Sequence, residues 1–351
     1  MHYAIQFEPP RIDPRRIRRK WLDISYADRS PSQKLDIYLP DEGDGPFPVI
    51  ISLHGGAFMG CDKADLQILP MLKGLKRGYA VVGGNYRRSG EAVFPALVQD
   101  VKAAVRWIRA HAAEHQLDSR WIAAWGCSAG GYLALMLGTS AGIPELDDLS
   151  LGNAEQPSNV QAVVAWYPPV DFLAMDEQLE AAGMPSPEGQ GHSGAQTPES
   201  LLPGAKITEI PERVRAANPA TYIRAGAPPF FLQHGTRDPV VPAQQPVNMA
   251  AQCVPLQEST MRLVSSGGTG KHKELGGLAF LRGRCGHRRT NCDAHRTRTC
   301  MDRDRRAQFS NKQFLARDQS GHLGLKRFRL FWGASMHHCN SCRLTVSILS
   351  G

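Results

Sequence analysis

"WGCSAGG", residues 125–131, decides the fold. It sets Ser128 in Gly-x-Ser-x-Gly between the β-rich run RWIAAWG (120–126) and the small-residue helical run AGGYLALMLGTS (129–140). A strand that turns into a helix at a serine is the setting of a nucleophile elbow. The turn is so tight that only glycine-like residues fit beside the serine, here Gly126 and Gly130. The hydroxyl is then pushed above the sheet, and the Ala129 amide points at a reacting carbonyl. The plainer alternative is a serine in an ordinary strand–helix turn; both flanks favour the elbow.

Outward from the elbow, strands alternate with helices. LDIYLP (35–40) and FPVIISLHGG (47–56) are β-rich runs separated by the turn formers DEGDGP, which suggests a hairpin into a buried strand. YAVVGGNYR (79–87), VQAVVAWYPPVDF (160–172) and PPFFLQHG (228–235) read as further buried strands, and TMRLV (260–264) as the last. PALVQDVKAAVRWIRAHAAEH (95–115) repeats apolar residues at helical spacing, with Asp100, Lys102, Arg106 and Arg109 between them, as in a helix packed on a sheet. This alternation indicates α/β architecture: a mostly parallel sheet flanked by helices. Residues 1–32 form an N-terminal arm and 33–264 the main domain. Residues 173–216, rich in Gly, Pro, Ser and Gln, read as a cap or lid insertion.

Two more motifs carry chemistry. HGGAF (54–58) follows the strand ending at Leu53, and its glycines let the Gly56 and Ala57 amides converge where an oxyanion can sit. The loop lacks the lysine and spacing of a phosphate-binding P-loop. His54 precedes the donors and reads as a brace. HGTRDPVVP (234–242) puts Asp238 on a loop past a strand end, where a carboxylate can orient an imidazole. Asp171 in PPVDF is the second candidate acid.

The chain carries a formal +8, but the charge is not uniform. Residues 265–351 hold 17 of the 41 basic and 5 of the 33 acidic groups, leaving 24 and 28 for residues 1–264. The basic excess therefore belongs to the tail and says nothing about the main domain's substrate. Five of eight cysteines also lie beyond 284, and Cys61, Cys127 and Cys253 alone make no disulfide framework. With no signal peptide and no long apolar run, the expectation is a reduced, cytoplasmic protein without a membrane segment.

LDIYLP, HGGAFMG, NYR, FPALVQDVKAAVRWI, GCSAGGYLA, NPATYI and HGTRDPVVP together resemble the α/β-hydrolase superfamily over about residues 33–264. Within it, the chain is most similar to carboxylesterases of the bacterial feruloyl-esterase-like (BD-FAE) and hormone-sensitive-lipase-like types. The resemblance implies an eight-stranded, mostly parallel sheet and hydrolysis of a small-molecule ester through an acyl-enzyme, with no cofactor and no metal. It makes Ser128 the nucleophile, Asp238 the orienting acid, and the Gly56, Ala57 and Ala129 amides the oxyanion hole. Ala57 stands where some relatives have a third glycine, a mild departure because an alanine amide donates equally well. Cys127 stands where relatives often have an acidic or polar residue.

The base is the weak member. His272, 34 residues past Asp238, is preceded by Gly270-Lys271 rather than the family's Gly-His, and its two lysine neighbours disfavour the imidazolium. From 265 onward hydrophobic periodicity disappears, and LAFLRGRCGHRRTNCDAH lacks the pattern of the expected amphipathic closing helix. Many Arg, Gly, Ser, Cys and His residues without periodicity are what a GC-rich gene yields when read out of frame. Gly267-Gly268-Thr269 written GGG-GGC-ACN and shifted back one base reads Gly-His at 268–269, 31 residues after Asp238. Zinc ligation by Cys285, His287, Cys292, His295 and Cys300, or by Cys339 with Cys342, lacks a familiar spacing. A nucleic-acid arm lacks any face that gathers the charges. The alternatives to an esterase are a catalytically impaired binding protein on the same scaffold and an amide hydrolase with the same triad.

Overall fold

A computed structural model describes residues 9–187, 190–253 and the backbone of 261–266. Eight strands form one sheet: β1 (Lys20–Ser25), β2 (Lys34–Tyr38), β3 (Phe47–Leu53), β4 (Ala80–Gly84), β5 (Leu117–Cys127), β6 (Ala162–Trp166), β7 (Phe230–Gly235) and β8 (Met261–Ser266). Their order is β1-β2-β4-β3-β5-β6-β7-β8. The pairs from β4 through β8 are parallel, and β1 and β2 are joined antiparallel at one edge. The helices are α1 (Leu69–Leu72), α2 (Ala96–Ala110), α3 (Ala129–Thr139), α4 (Met175–Ala181), α5 (Pro198–Leu201), α6 (Pro211–Ala216) and α7 (Gln244–Cys253). None of the described helices is long and apolar enough to cross a membrane.

The hairpin expected between 35–40 and 47–56 does not form. β4 lies between β2 and β3, so the two runs are not neighbours. The reason lies in β3, which is almost wholly buried and takes the central position with parallel partners on both sides. Turn formers mark where a chain reverses; they do not choose the strand it then pairs with.

Helix α2 differs from its reading in a second way. Its apolar face packs on the sheet as the spacing predicts, but Asp100, Lys102 and Arg106 on the other face are also fully buried. Each is matched to a polar partner, as buried charge requires. Asp100 accepts hydrogen bonds from Gln33 Nε2 (2.7 Å), the Arg87 amide (2.8 Å) and the Arg87 guanidinium (2.7 Å). Lys102 donates to the Ser140 carbonyl at 2.7 Å, and burial pulls its pKa down to about 8 against the attraction of Asp147. Arg106 pairs with Asp147 and donates to the Asp148 and Gly152 carbonyls. The connection between α3 and β6 thus covers Lys102 and Arg106, while Gln33 and Arg87 cover Asp100, at positions that periodicity alone assigns to solvent.

Among its described residues, the insertion at 173–216 contains α4, α5 and α6 and no strand. His192 sits inside it, with Nδ1 3.1 Å from Glu199 Oε1, and the Val240 carbonyl in the loop after β7 also favours its charged form. Burial works against the imidazolium, but the Glu199 hydrogen bond, the charges of Glu199 and Asp176, and the Val240 carbonyl raise its pKa overall. A raised folded value means that the stabilisation is complete below the unfolded value of about 6.5 and lost as pH climbs through the folded one. The melting-temperature gap between wild type and His192→Gln should therefore shrink as pH rises from below that value into the alkaline range. A gap that widens with pH would assign the wrong sign to this pair.

Candidate active site

Ser128 follows directly on β5 with φ 52° and ψ −123°, a strained conformation for an L-residue that costs on the order of 1–3 kcal/mol. Two backbone contacts hold it there: its amide donates to the Trp166 carbonyl at the end of β6 (2.9 Å), and its carbonyl accepts from the Tyr132 amide (3.0 Å). The glycines beside it have no room for a side chain. A Cβ on Gly126 would stand 2.1 Å from the Gly130 carbonyl oxygen, and one on Gly130 would stand 2.0 Å from the Leu53 carbonyl oxygen. Ala129 opens α3, where its N–H has no intrahelical acceptor.

Register brings the second motif alongside. Leu53 on β3 pairs with Gly126 on β5, so the loop 54–58 leaves the sheet next to the elbow. A Cβ on Gly55 would lie 3.2 Å from Ser128 Cβ, which places this loop in contact with the serine. Gly56 (φ 110°) starts a turn in which its carbonyl accepts from the Met59 and Gly60 amides. Ala57 (φ 54°) continues it in the left-handed region. The alanine therefore presents its amide at a cost in strain that glycine would not carry, roughly 1–2 kcal/mol. Among the described residues, no backbone acceptor engages the Gly56 or Ala57 amide. Phe58 is buried against Tyr132 and Phe172 at ring-centroid distances of 5.3 and 5.9 Å, which joins this loop to α3 and to the segment after β6.

His54 is the brace its position suggested. It is buried, its Nδ1 lies 2.8 Å from the Gly55 carbonyl, and its ring stacks on Tyr86 at 4.5 Å. Burial lowers its pKa, which keeps it neutral. Cys127 is likewise inert: burial pushes its thiol up to about 12, and Sγ donates to Gln67 Oε1 at 2.6 Å. The thiolate that would compete with Ser128 is not formed near neutral pH.

Asp238 lies past the end of β7 and is 6% exposed. Its Oδ1 accepts from the Val240 and Val241 amides at 2.9 and 3.0 Å, which fixes the carboxylate plane. Oδ2 has one neighbouring cation-capable group among the described residues, His234 Nε2 at 3.6 Å. His234 is not available as a base, because it is 2% exposed and its Nε2 is committed to the Val241 carbonyl at 2.8 Å. It braces the Asp238 loop from β7, a role not read from HGTRDPVVP. Asp171, the second candidate acid, caps the turn 172–174 by accepting from the Leu173 amide, and Gln245 of α7 clamps its backbone.

Ser128, the 54–58 loop and Asp238 all follow the carboxyl ends of parallel strands, β5, β3 and β7, in the continuous run β3-β5-β6-β7. The backbone of β8 extends that run beside β7. His272 and the Cys/His sets of the tail lie outside the described residues, as does position 269. Among the described residues, no group of three or more His, Cys, Asp or Glu could hold a metal ion. The arrangement offers a serine hydroxyl beside a loop whose Gly56 and Ala57 amides no backbone acceptor engages among the described residues, and a carboxylate held by two amides, groups that can serve acyl transfer once a base is supplied.

Comparison with known proteins gives the family and matches the fold. The BD-FAE family model matches residues 35–253. Probable carboxylic ester hydrolase LipM of Mycobacterium tuberculosis is 32% identical over 226 residues, 64% of this chain and 49% of the relative. Esterase LipQ of the same organism is 31% identical over 66% of this chain and 52% of its own length. The chain thus spans about half the length of the curated relatives it matches. Among solved structures, a truncated form of carbohydrate esterase from gut microbiota superposes with a TM-score of 0.64 at 33% identity, covering 75% of this chain and 92% of that one.

Proposed function

The chain belongs to the BD-FAE family, and on that premise we propose that it is a serine carboxylesterase. The observation that carries the reading is the strained Ser128 elbow packed against the 54–58 loop, with Asp238 buried and held by Oδ1. Ser128 Oγ attacks the ester carbonyl while a histidine oriented by Asp238 takes its proton. The Gly56, Ala57 and Ala129 amides stabilise the oxyanion. The alkoxide leaves with the proton from the imidazolium, and water then hydrolyses the acyl-enzyme by the same sequence of transfers.

Short-acyl or aromatic esters of the acetyl and feruloyl type are the proposed substrates. The family's name and the carbohydrate-esterase description of the gut relative support them. An amide hydrolase would use the same parts, so the test is turnover of nitrophenyl acetate against the matched nitroanilide. A nitroanilide turned over as fast as the ester would replace the esterase reading with the amidase one.

The base is proposed as His272 or, in the shifted frame, a histidine at 269. The gene's nucleotides over codons 267–269 decide whether the shift is open to this chain. If they read GGG-GGC-ACN, a chain with the frame restored should turn over about 10³-fold or more faster than the chain as it stands, the scale set by loss of a triad member. His272→Ala should then leave turnover of the unshifted chain unchanged; a large loss in that variant would return the role to His272.

A further inference from the structure

Gln67 lies on the short turn Leu66–Ile68, outside the motifs above, yet its side chain reaches two of them, HGGAF and WGCSAGG. Oε1 accepts the Gly55 amide at 2.8 Å and the Cys127 thiol at 2.6 Å. Nε2 donates to Asp65 Oδ2 at 2.8 Å, while Asp65 Oδ1 accepts the Gln67 backbone amide at 2.8 Å. The two ends of the amide cannot be exchanged, because a backbone N–H only donates and a carboxylate only accepts. Asp65, 1% exposed, thereby aims the Gln67 carbonyl at the gap between the 54–58 loop and the elbow.

We infer that Gln67 is a positioning residue, which sets the oxyanion-binding loop against the nucleophile through one carbonyl oxygen. The inference rests on the acyl-transfer reading. Gly55 precedes the two proposed donors and Cys127 precedes Ser128, so Gln67 ties each loop one residue before its reacting part. By accepting the Gly55 amide, it also removes that donor from the hole and leaves Gly56 and Ala57 to face the oxyanion. Gly55 itself sits so close that a Cβ would be 2.9 Å from both Gln67 Oε1 and the Cys127 carbonyl oxygen. A displacement of about 1 Å at such a site can cost about 10²-fold in rate.

Gln67→Met keeps the length of the side chain and removes both polar ends. In the full chain, hydrogen exchange of peptides spanning 54–60 and 126–130 should quicken by about tenfold, with the remaining sheet protected as in wild type. Nitrophenyl acetate kcat should fall by about 10- to 100-fold with KM nearly unchanged, the sign of an interaction made in the transition state. The swap Asp65→Asn with Gln67→Glu reverses the donor and acceptor between the two side chains while preserving the carbonyl-type acceptor for Gly55. It should restore most of the lost exchange protection and kcat. Unchanged exchange in Gln67→Met, or protection lost across the whole sheet, overturns the inference. Absence of turnover in both frames would count against the esterase reading alone, since the exchange measurements still decide Gln67.

Discussion

Ser128→Ala, made in whichever frame turns over faster, should abolish the burst of nitrophenol from nitrophenyl acetate and lower turnover by about 10⁴- to 10⁶-fold. The scale follows from the roles that vanish together: without Oγ there is no acyl-enzyme, and the histidine and carboxylate have no proton to handle. What survives is binding and the oxyanion donors, which do not depend on the Ser128 side chain. The fold should not change. The φ of 52° strains alanine as much as serine, and the two backbone contacts of residue 128 use only its amide and carbonyl. Burst amplitude and thermal melting measured on the same preparation separate chemistry from stability. A variant that keeps its burst would place the nucleophile elsewhere, and one that melts far below wild type would mean that the hydroxyl holds the elbow.

Gly130→Ala should have the largest effect on the fold itself. Its Cβ would lie 2.0 Å from the Leu53 carbonyl oxygen and 2.5 Å from that of His54, and neither is the end of a side chain that can swing away. The helix α3 would have to move off β3, which breaks the packing beside the 54–58 loop and displaces Ala129. Overpacking against yielding side chains costs about 1–3 kcal/mol, and rigid backbone places this variant at or above the upper end. A fall in melting temperature on the order of 10 °C, or failure to accumulate folded protein, is expected. Gly90→Ala is the control, since its Cβ meets nothing within 4 Å. If Gly130→Ala melts within a degree or two of that control, the close approach of α3 to β3 is wrong.

Both substitutions fall in WGCSAGG, whose local turn is set by its own residues, although the room beside Gly130 is set by the Leu53 and His54 carbonyls. WGCSAGG contains the strand end, the strained serine, the small residues that permit the turn, and the helix start. HGGAF and HGTRDPVVP are similarly self-contained, so the parallel-strand core and the places of Ser128, Gly56, Ala57 and Asp238 past strand ends, with Ala129 opening the helix, were legible from residues alone. Strand partnership was not. The turn at 41–46 looks the same whether β3 pairs with β2 or lies beyond β4, and only competition among buried strands for the centre of the sheet decides between them. The buried Asp100, Lys102 and Arg106 were equally invisible, because helical spacing reports the face toward the sheet and nothing about a distant segment that covers the other.

The same division runs through the site. The sequence by itself determined which backbone turns carry Ser128, the proposed amide donors and Asp238, since steric limits on φ and ψ act between adjacent residues. Only the tertiary structure decided what holds those turns in place: Gln67 between Gly55 and Cys127, and His234 under the Asp238 loop. These are single hydrogen-bonding side chains with no periodicity and no motif of their own. Their partners are chosen by where the strands bring the chain together.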